Sequence, residues 1–141
     1  MHEYTRSGNW KLKVEIEYNV TTDGNPAPRA GTWGVGEWEN FAVASEADLY
    51  RLTIGSRTEN DNMNSVDPFN NHPLNGMHFS TDEDGRDNDN VDSYNCAASN
   101  GVGWWYNSCI NVCLNCKKWI WSDGTDWEIP SRSRMWMKKT G

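Results

Sequence analysis

A mixed α+β domain, mostly of antiparallel strands and with a loop-rich half, is the fold class this sequence predicts, and three observations lead to it. Residues 10–18 alternate strictly, with Trp10, Leu12, Val14, Ile16 and Tyr18 on one side and Lys11, Lys13, Glu15 and Glu17 on the other, the pattern of a half-buried strand. A second strand region from Trp33 to Ala44, broken by Gly34 and Gly36, and a third from Leu49 to Ile54 are joined by the short Ser45 to Asp48 link, which makes them an antiparallel pair. Past Gly55 the chain becomes polar and rich in Asn, Asp and Pro, and the alternation stops.

The length of 141 residues is about one domain's worth and is enough to bury a real core. A net charge of -7 argues against nucleic acid as a partner, since a basic patch would have to supply the affinity. It suits a soluble protein that meets cations or neutral ligands. No run approaches the ~18 apolar residues that cross a bilayer, so membrane insertion is not expected. Met1-His2-Glu3-Tyr4 lacks the basic-then-apolar pattern of a signal peptide, and a secretion signal is expected outside these residues.

Along the chain, Asn19-Val20-Thr21 is an acceptor triplet for N-glycosylation, placed where the first strand gives way to a turn. Thr22 to Gly31 is a loop, because Pro26 and Pro28 remove ladder donors. Irregular structure is expected from Gly55 to Gly76, pinned to the core by Met63, Val66, Phe69 and Leu74. His72 and His78, in and just beyond this stretch, read as surface or structural histidines. The nine tryptophans are mostly core and loop-packing residues. No internal repeat or low-complexity tract occurs.

Residues 79–109 carry the chemistry. Six carboxylic acids, Asp82, Glu83, Asp84, Asp87, Asp89 and Asp92, are opposed within that segment by Arg86 alone. So close together they repel unless water or a cation intervenes. Carboxylates two apart, as in Asp87-Asn88-Asp89, are able to converge on one calcium ion, which takes oxygen ligands. The competing reading is a solvated acidic loop. No register starting at Asp82 or Asp87 places both the glycine and the glutamate an EF-hand requires. Beyond the acids, Cys96 and Cys109 are spaced to close a small loop, a constraint worth about 3 kcal/mol.

Five stretches in order, Glu39 to Gly55, Leu74 to Thr81 (LNGMHFST), Asp87 to Asp89 (DND), Asn95 to Ala97 (NCA) and Gly103 to Cys109 (GWWYNSC), resemble the fibrinogen C-terminal globular domain. That family includes fibrinogen chains, ficolins, tachylectins and other fibrinogen-related lectins, and the resemblance runs from about Trp10 onward. It implies a central sheet from residues 10–55 and 133–139, with the last strand returning to it, and a loop-rich calcium and ligand subdomain over residues 56–132. It implies that Asp87 and Asp89 supply carboxylates to one Ca2+, with backbone carbonyls of Asp92 and Tyr94 completing the shell. It also implies a Cys96–Cys109 bridge, a cis peptide bond at Ser108-Cys109, and a ligand pocket around Ser108, Cys109, Ile110 and the later aromatic Trp127. In the acetyl-binding lectins the position of Ile110 is usually histidine, and this departure bears on acetyl-sugar and peptide-knob recognition alike.

Cys113 and Cys116 stand where the family more often has Asn and Gly. A local bridge, intermolecular disulfides, a zinc site and a redox pair compete, and a second bridge in an oxidising compartment is the reading preferred. Family domains are longer, with an amino-terminal subdomain that this sequence lacks, which would leave the edge near Trp10 to Tyr18 open to pairing. The resemblance implies a secreted, calcium-dependent, lectin-like module of innate defence that binds carbohydrate or acetylated groups and forms homo-oligomers through regions outside this chain. The alternative is a protein-interaction or structural extracellular module. Catalysis is not expected, because no serine or cysteine nucleophile signature has a histidine partner.

Overall fold

The computed structural model describes residues 1–21, 24–26, 29–63, 67–71, 73–83, 94–109, 112–116, 120–122 and 127–141. The strands are β1 (Trp10–Glu17), β2 (Val20–Thr21), β3 (Trp33–Trp38), β4 (Ala42–Val43), β5 (Leu52–Thr53), β6 (Arg57–Asp61), β7 (Phe79–Ser80), β8 (Trp104–Trp105), β9 (Val112–Cys113), β10 (Ile120–Ser122), β11 (Trp127–Ile129) and β12 (Arg132–Lys139). Short helices lie at α1 (His2–Thr5), α2 (Pro68–Asn71) and α3 (Cys96–Asn100), with a 3-10 turn at Glu46–Asp48.

Alternation makes β1 a strand and decides which face it buries. Leu12, Val14, Ile16 and Tyr18 are all at most 1% exposed, while Lys11, Lys13, Glu15 and Glu17 face outward. β1 sits between two antiparallel partners in a four-stranded sheet of order β12-β1-β3-β6. All eight residues of β12 pair with β1, from Trp10 opposite Lys139 to Glu17 opposite Arg132, so the final strand does return to the central sheet.

Three readings of the sequence change. β1 is an inner strand, and among the described residues β12 and β6 are the outer strands of the sheet. Arg57–Asp61, placed in the loop-rich half and read as irregular, is the fourth strand of this sheet, so the division at residues 55 and 56 cuts through it. Its five residues are all polar and outward or half-exposed, and a peripheral strand held by backbone pairing needs no apolar alternation to form. Gly34 and Gly36 do not break β3. A Cβ at Gly36 would lie 2.6 Å from the Trp38 ring and one at Gly34 2.9 Å from the Tyr18 hydroxyl, so these glycines let large rings lie flat on the strand.

The expected second pair forms in shortened form: β4 pairs with β5 through Ala42–Thr53 and Val43–Leu52. Leu49 and Tyr50 leave the strand because both have positive φ, 49° and 51°, at the end of the 3-10 turn, and both are exposed. A second four-stranded sheet, β2-β11-β10-β9, draws Val20–Thr21 out of the amino-terminal half to join the carboxyl-terminal one. One continuous core runs from the inner face of β1 through Trp38, Phe41, Leu52, Phe69 and Leu74 to Trp104, Tyr106 and Val112. Met63, Phe69 and Leu74 pin their segment as expected, whereas Val66 lies outside the described residues. No helix among the described residues is long and apolar enough to cross a membrane.

The outer face of the central sheet carries ordered charge. Lys13 Nζ donates to Glu15 Oε1 at 2.9 Å, Trp136 Nε1 donates to Glu15 Oε2 at 3.2 Å, and Arg132 Nε donates to Glu17 Oε2 at 2.7 Å. Donation from Lys13 is the main cause that holds the Glu15 carboxyl below its ordinary value of 4.5, against an opposing effect of burial. Donation from Ser131 is the main cause that does the same for Glu17. A depressed folded-state pKa contributes stability that is present above the unfolded value and lost as pH falls through the folded one. The thermal midpoint is therefore expected to hold through neutral pH and to fall below about pH 4.5. Calorimetric scans of the native chain and Glu15→Gln check this, and the variant should show the shallower acid slope.

Candidate functional site

The site is built on α3 and the turn after β8. Asn95 caps α3, its side chain accepting from the Ala98 N–H at 2.7 Å, and Gly101 ends the helix with φ 72°. Cys96, the first helical residue, is fully buried and bonded to Cys109. Between them β8 pairs with β7, setting Phe79 opposite Trp105 and Ser80 opposite Trp104. Gly103 has no room for a side chain, because a Cβ there would lie 2.6 Å from the Phe79 ring.

Three consecutive aromatics fix the turn by different means. Trp105 donates its indole N–H to the Tyr50 carbonyl at 2.8 Å and meets Phe79 edge to face at 5.2 Å. Tyr106 is fully buried, and its hydroxyl donates to the Val102 carbonyl at 2.8 Å. Trp104 is 1% exposed and stacks edge to face on Trp105. Asn107 then reaches across to the Pro73 carbonyl at 2.8 Å, while its backbone N–H donates to the Cys109 carbonyl at 2.7 Å. The result is a corner in which Ser108 is exposed on a buried base, with a cis peptide bond between Ser108 and Cys109 as the sequence led us to expect. The sequence reading did not identify Asn107 or Gly103 as determinants of this corner. Their partners, Pro73 and Phe79, are more than twenty residues away, and nothing local signals them.

Cys113 bonds to Cys116, which makes the local bridge the observed arrangement among the four considered. The Cys116 sulfur lies 3.7 Å from the Tyr106 hydroxyl, so the second bridge packs under the same corner. Tyr94 is half exposed, and its hydroxyl is hydrogen-bonded to Ser99 Oγ. Asp82 and Glu83 are exposed at the start of the acidic segment. Asp87, Asp89, Asp92 and Ile110 lie outside the described residues, as does His72, and Trp127 is placed only as the first residue of β11. Among the described residues no three His, Cys, Asp or Glu side chains gather as a metal site. The donors available across the acidic segment, carboxylate and carbonyl oxygens, are those that suit a hard cation. Asn19 is exposed in the turn between β1 and β2.

Over residues 1–141 the sequence matches the family described as fibrinogen beta and gamma chains, C-terminal globular domain. The chain belongs to this family. Among related proteins, this fibrinogen-type domain is 34% identical over 117 residues to human tenascin-R and 30% identical over 115 residues to human ficolin-3. Those alignments cover 83% and 82% of the chain but 7% and 32% of the relatives, so the domain spans a third or less of each. The fibrinogen-like globe domain of human ANGPTL6 superimposes with a TM-score of 0.76 at 24% identity, covering 99% of this chain and 61% of that one. Lamprey fibrin D-dimer, complexed with the peptide ligand Gly-His-Arg-Pro-amide, gives a TM-score of 0.75 at 25% identity, covering 96% and 47%.

Proposed function

We propose that this domain is a secreted, calcium-dependent recognition module that binds carbohydrate or acetylated groups through Ser108, Cys109 and Ile110, with Trp127 as a further ligand-binding residue. Asp87 and Asp89, with the carbonyls of Asp92 and Tyr94, are the residues that would hold Ca2+; when bound it would neutralise the acidic segment. The observation that carries this reading is the corner itself. An exposed Ser108 stands next to buried Tyr106 and Cys96, closed by the Cys96–Cys109 bridge, and in the sequence the acidic residues come shortly before Cys96. A rigid, partly apolar shelf with few polar groups is what small-ligand recognition requires. Membership of a family that contains ficolin-3 supports it. Asn19, exposed, is the proposed glycosylation position.

A second reading, an extracellular protein-interaction module, is favoured by Ile110 in place of the lectins' usual histidine and by the peptide complex of the lamprey relative. Calorimetry separates the steps. The oxidised domain is expected to bind calcium, and Asp87→Ala and Asp89→Ala are each expected to abolish the binding while leaving the circular dichroism spectrum unchanged. A glycan array run with and without calcium then tests the ligand class. A folded protein without calcium uptake would sink the metal site, and the absence of any calcium-dependent glycan signal would leave the protein-interaction reading.

A further inference from the structure

We propose that Thr81 is a positioning residue of the calcium site, its hydroxyl donating to an oxygen of the acidic segment when Ca2+ is bound, a role that rests on the calcium reading above. Thr81 itself is half-buried, but its Oγ1 is shut off from water and has no hydrogen-bond partner among the described residues. A buried hydroxyl left unpaired costs free energy, so its presence calls for a partner that arrives in another state of the molecule. Valine has the same shape without the oxygen and would fill the position at no such cost. The oxygen is therefore the part of this side chain that packing does not explain.

Position in the chain supplies the partner. β7 ends at Ser80, Thr81 follows it, and the next two residues, Asp82 and Glu83, are exposed acids. The strand behind Thr81 is firmly held. Ser80 is fully buried and pairs with Trp104, Phe79 pairs with Trp105, and the Phe79 N–H donates to the Leu49 carbonyl at 2.9 Å. Thr81 thus stands where a fixed strand gives way to six carboxylic acids, Asp82, Glu83, Asp84, Asp87, Asp89 and Asp92. An ionised carboxylate only accepts hydrogen bonds, and a hydroxyl is a donor in need of an acceptor. Without a cation, mutual repulsion favours carboxylates spread out in water. Ca2+ takes several oxygen ligands at once and reverses that preference. Carboxylates that ligate a metal are themselves hydrogen-bonded by groups behind them, which fix their orientation. The Thr81 hydroxyl, rooted on β7 and unpaired, is a donor available for that task.

The test compares the oxidised native domain with Thr81→Val and Thr81→Ser, each titrated with calcium chloride by calorimetry and scanned thermally in chelator and in excess calcium. In chelator Thr81→Val is expected to match or exceed the native thermal midpoint, because it removes an unpaired hydroxyl. It is expected to bind calcium about tenfold more weakly, so that in calcium its midpoint falls below the native one. Thr81→Ser keeps the hydroxyl and loses a methyl group. Its midpoint should drop in both conditions while its calcium affinity stays close to native. A side chain that only packs would shift the midpoint by the same amount with and without calcium. Native calcium affinity in Thr81→Val, equal midpoint shifts in the two conditions, or binding in Thr81→Ser as weak as in Thr81→Val would overturn the role of Thr81 and leave the calcium site standing. A folded native domain that takes up no calcium would overturn the site and the role of Thr81 together.

Discussion

Trp38→Ala is expected to destabilise the domain by about 3–5 kcal/mol, which lowers the thermal midpoint by roughly 10–15 °C. Trp38 is fully buried at the end of β3, where its ring lies over Gly36 and meets Phe69 edge to face at 4.8 Å. Truncation leaves a cavity between the central sheet and α2 that neither neighbour is able to fill, because Gly36 has no side chain and Phe69 is held by its own helix. A polar loss adds to the apolar one. The Trp38 indole donates to Asp67 Oδ1 at 2.9 Å, and Asp67 in turn accepts from the Phe69 N–H at 3.1 Å and from Asn70 Nδ2 at 2.7 Å, which organises the start of α2. Trp38→Phe, which keeps most of the ring volume and removes the donor, should cost much less, with about 1 kcal/mol of it from the hydrogen bond. Urea denaturation of the three proteins checks both values; an alanine variant as stable as the phenylalanine one would mean that the ring contributes little.

Removing the Cys96–Cys109 bridge as the double alanine variant is expected to cost about 3 kcal/mol, and removing Cys113–Cys116 about 2 kcal/mol. The difference follows from the loops closed, a sequence separation of 13 residues against one of 3. The larger loss also carries a functional consequence. Cys96–Cys109 joins the base of α3 to the corner that displays Ser108, so its removal frees the corner from the helix, whereas Cys113–Cys116 closes a turn already tied to β9. Hydrogen exchange should therefore show faster exchange of the Asn107 N–H, which donates to the Cys109 carbonyl, in the first variant and little change in the second. Chemical denaturation gives the stabilities, and equal losses for both bridges would contradict the loop-length argument.

How legible each part was depended on the range of the forces behind it. β1 was readable because one buried face and one wet face impose alternation on the residues themselves. The aromatic and cysteine order around the corner was readable as a family pattern, and with it the Cys96–Cys109 pairing and the cis bond at Ser108. β6 was not, since Arg57 to Asp61 hold their place through backbone pairing to β3, which any polar sequence is able to make. Gly34 and Gly36 misled for the opposite reason. Each reads locally as a strand breaker, yet each is where a ring from Tyr18 or Trp38 has to lie against the backbone. α1, with His2 Nδ1 at 2.9 Å from the Val43 carbonyl and the Thr5 hydroxyl accepting from the Val43 N–H at 3.0 Å, is held by a strand some forty residues away and has no local signature.

By itself, then, the amino-acid sequence determined the family, the antiparallel character of the sheet, the buried face of β1, the return of the final strand and the position of the bridged corner. These follow from patterns between near neighbours or from residues whose chemistry admits few arrangements. Tertiary structure alone decided that β1 lies inside the sheet, that β12 and β6 are its outer strands among the described residues, and that Met135, Tyr50, Phe79 and Trp104 meet around one cleft. Strand order and cavities arise from packing between residues far apart in the chain, and no local periodicity encodes which of two equally regular strands lies inside the sheet.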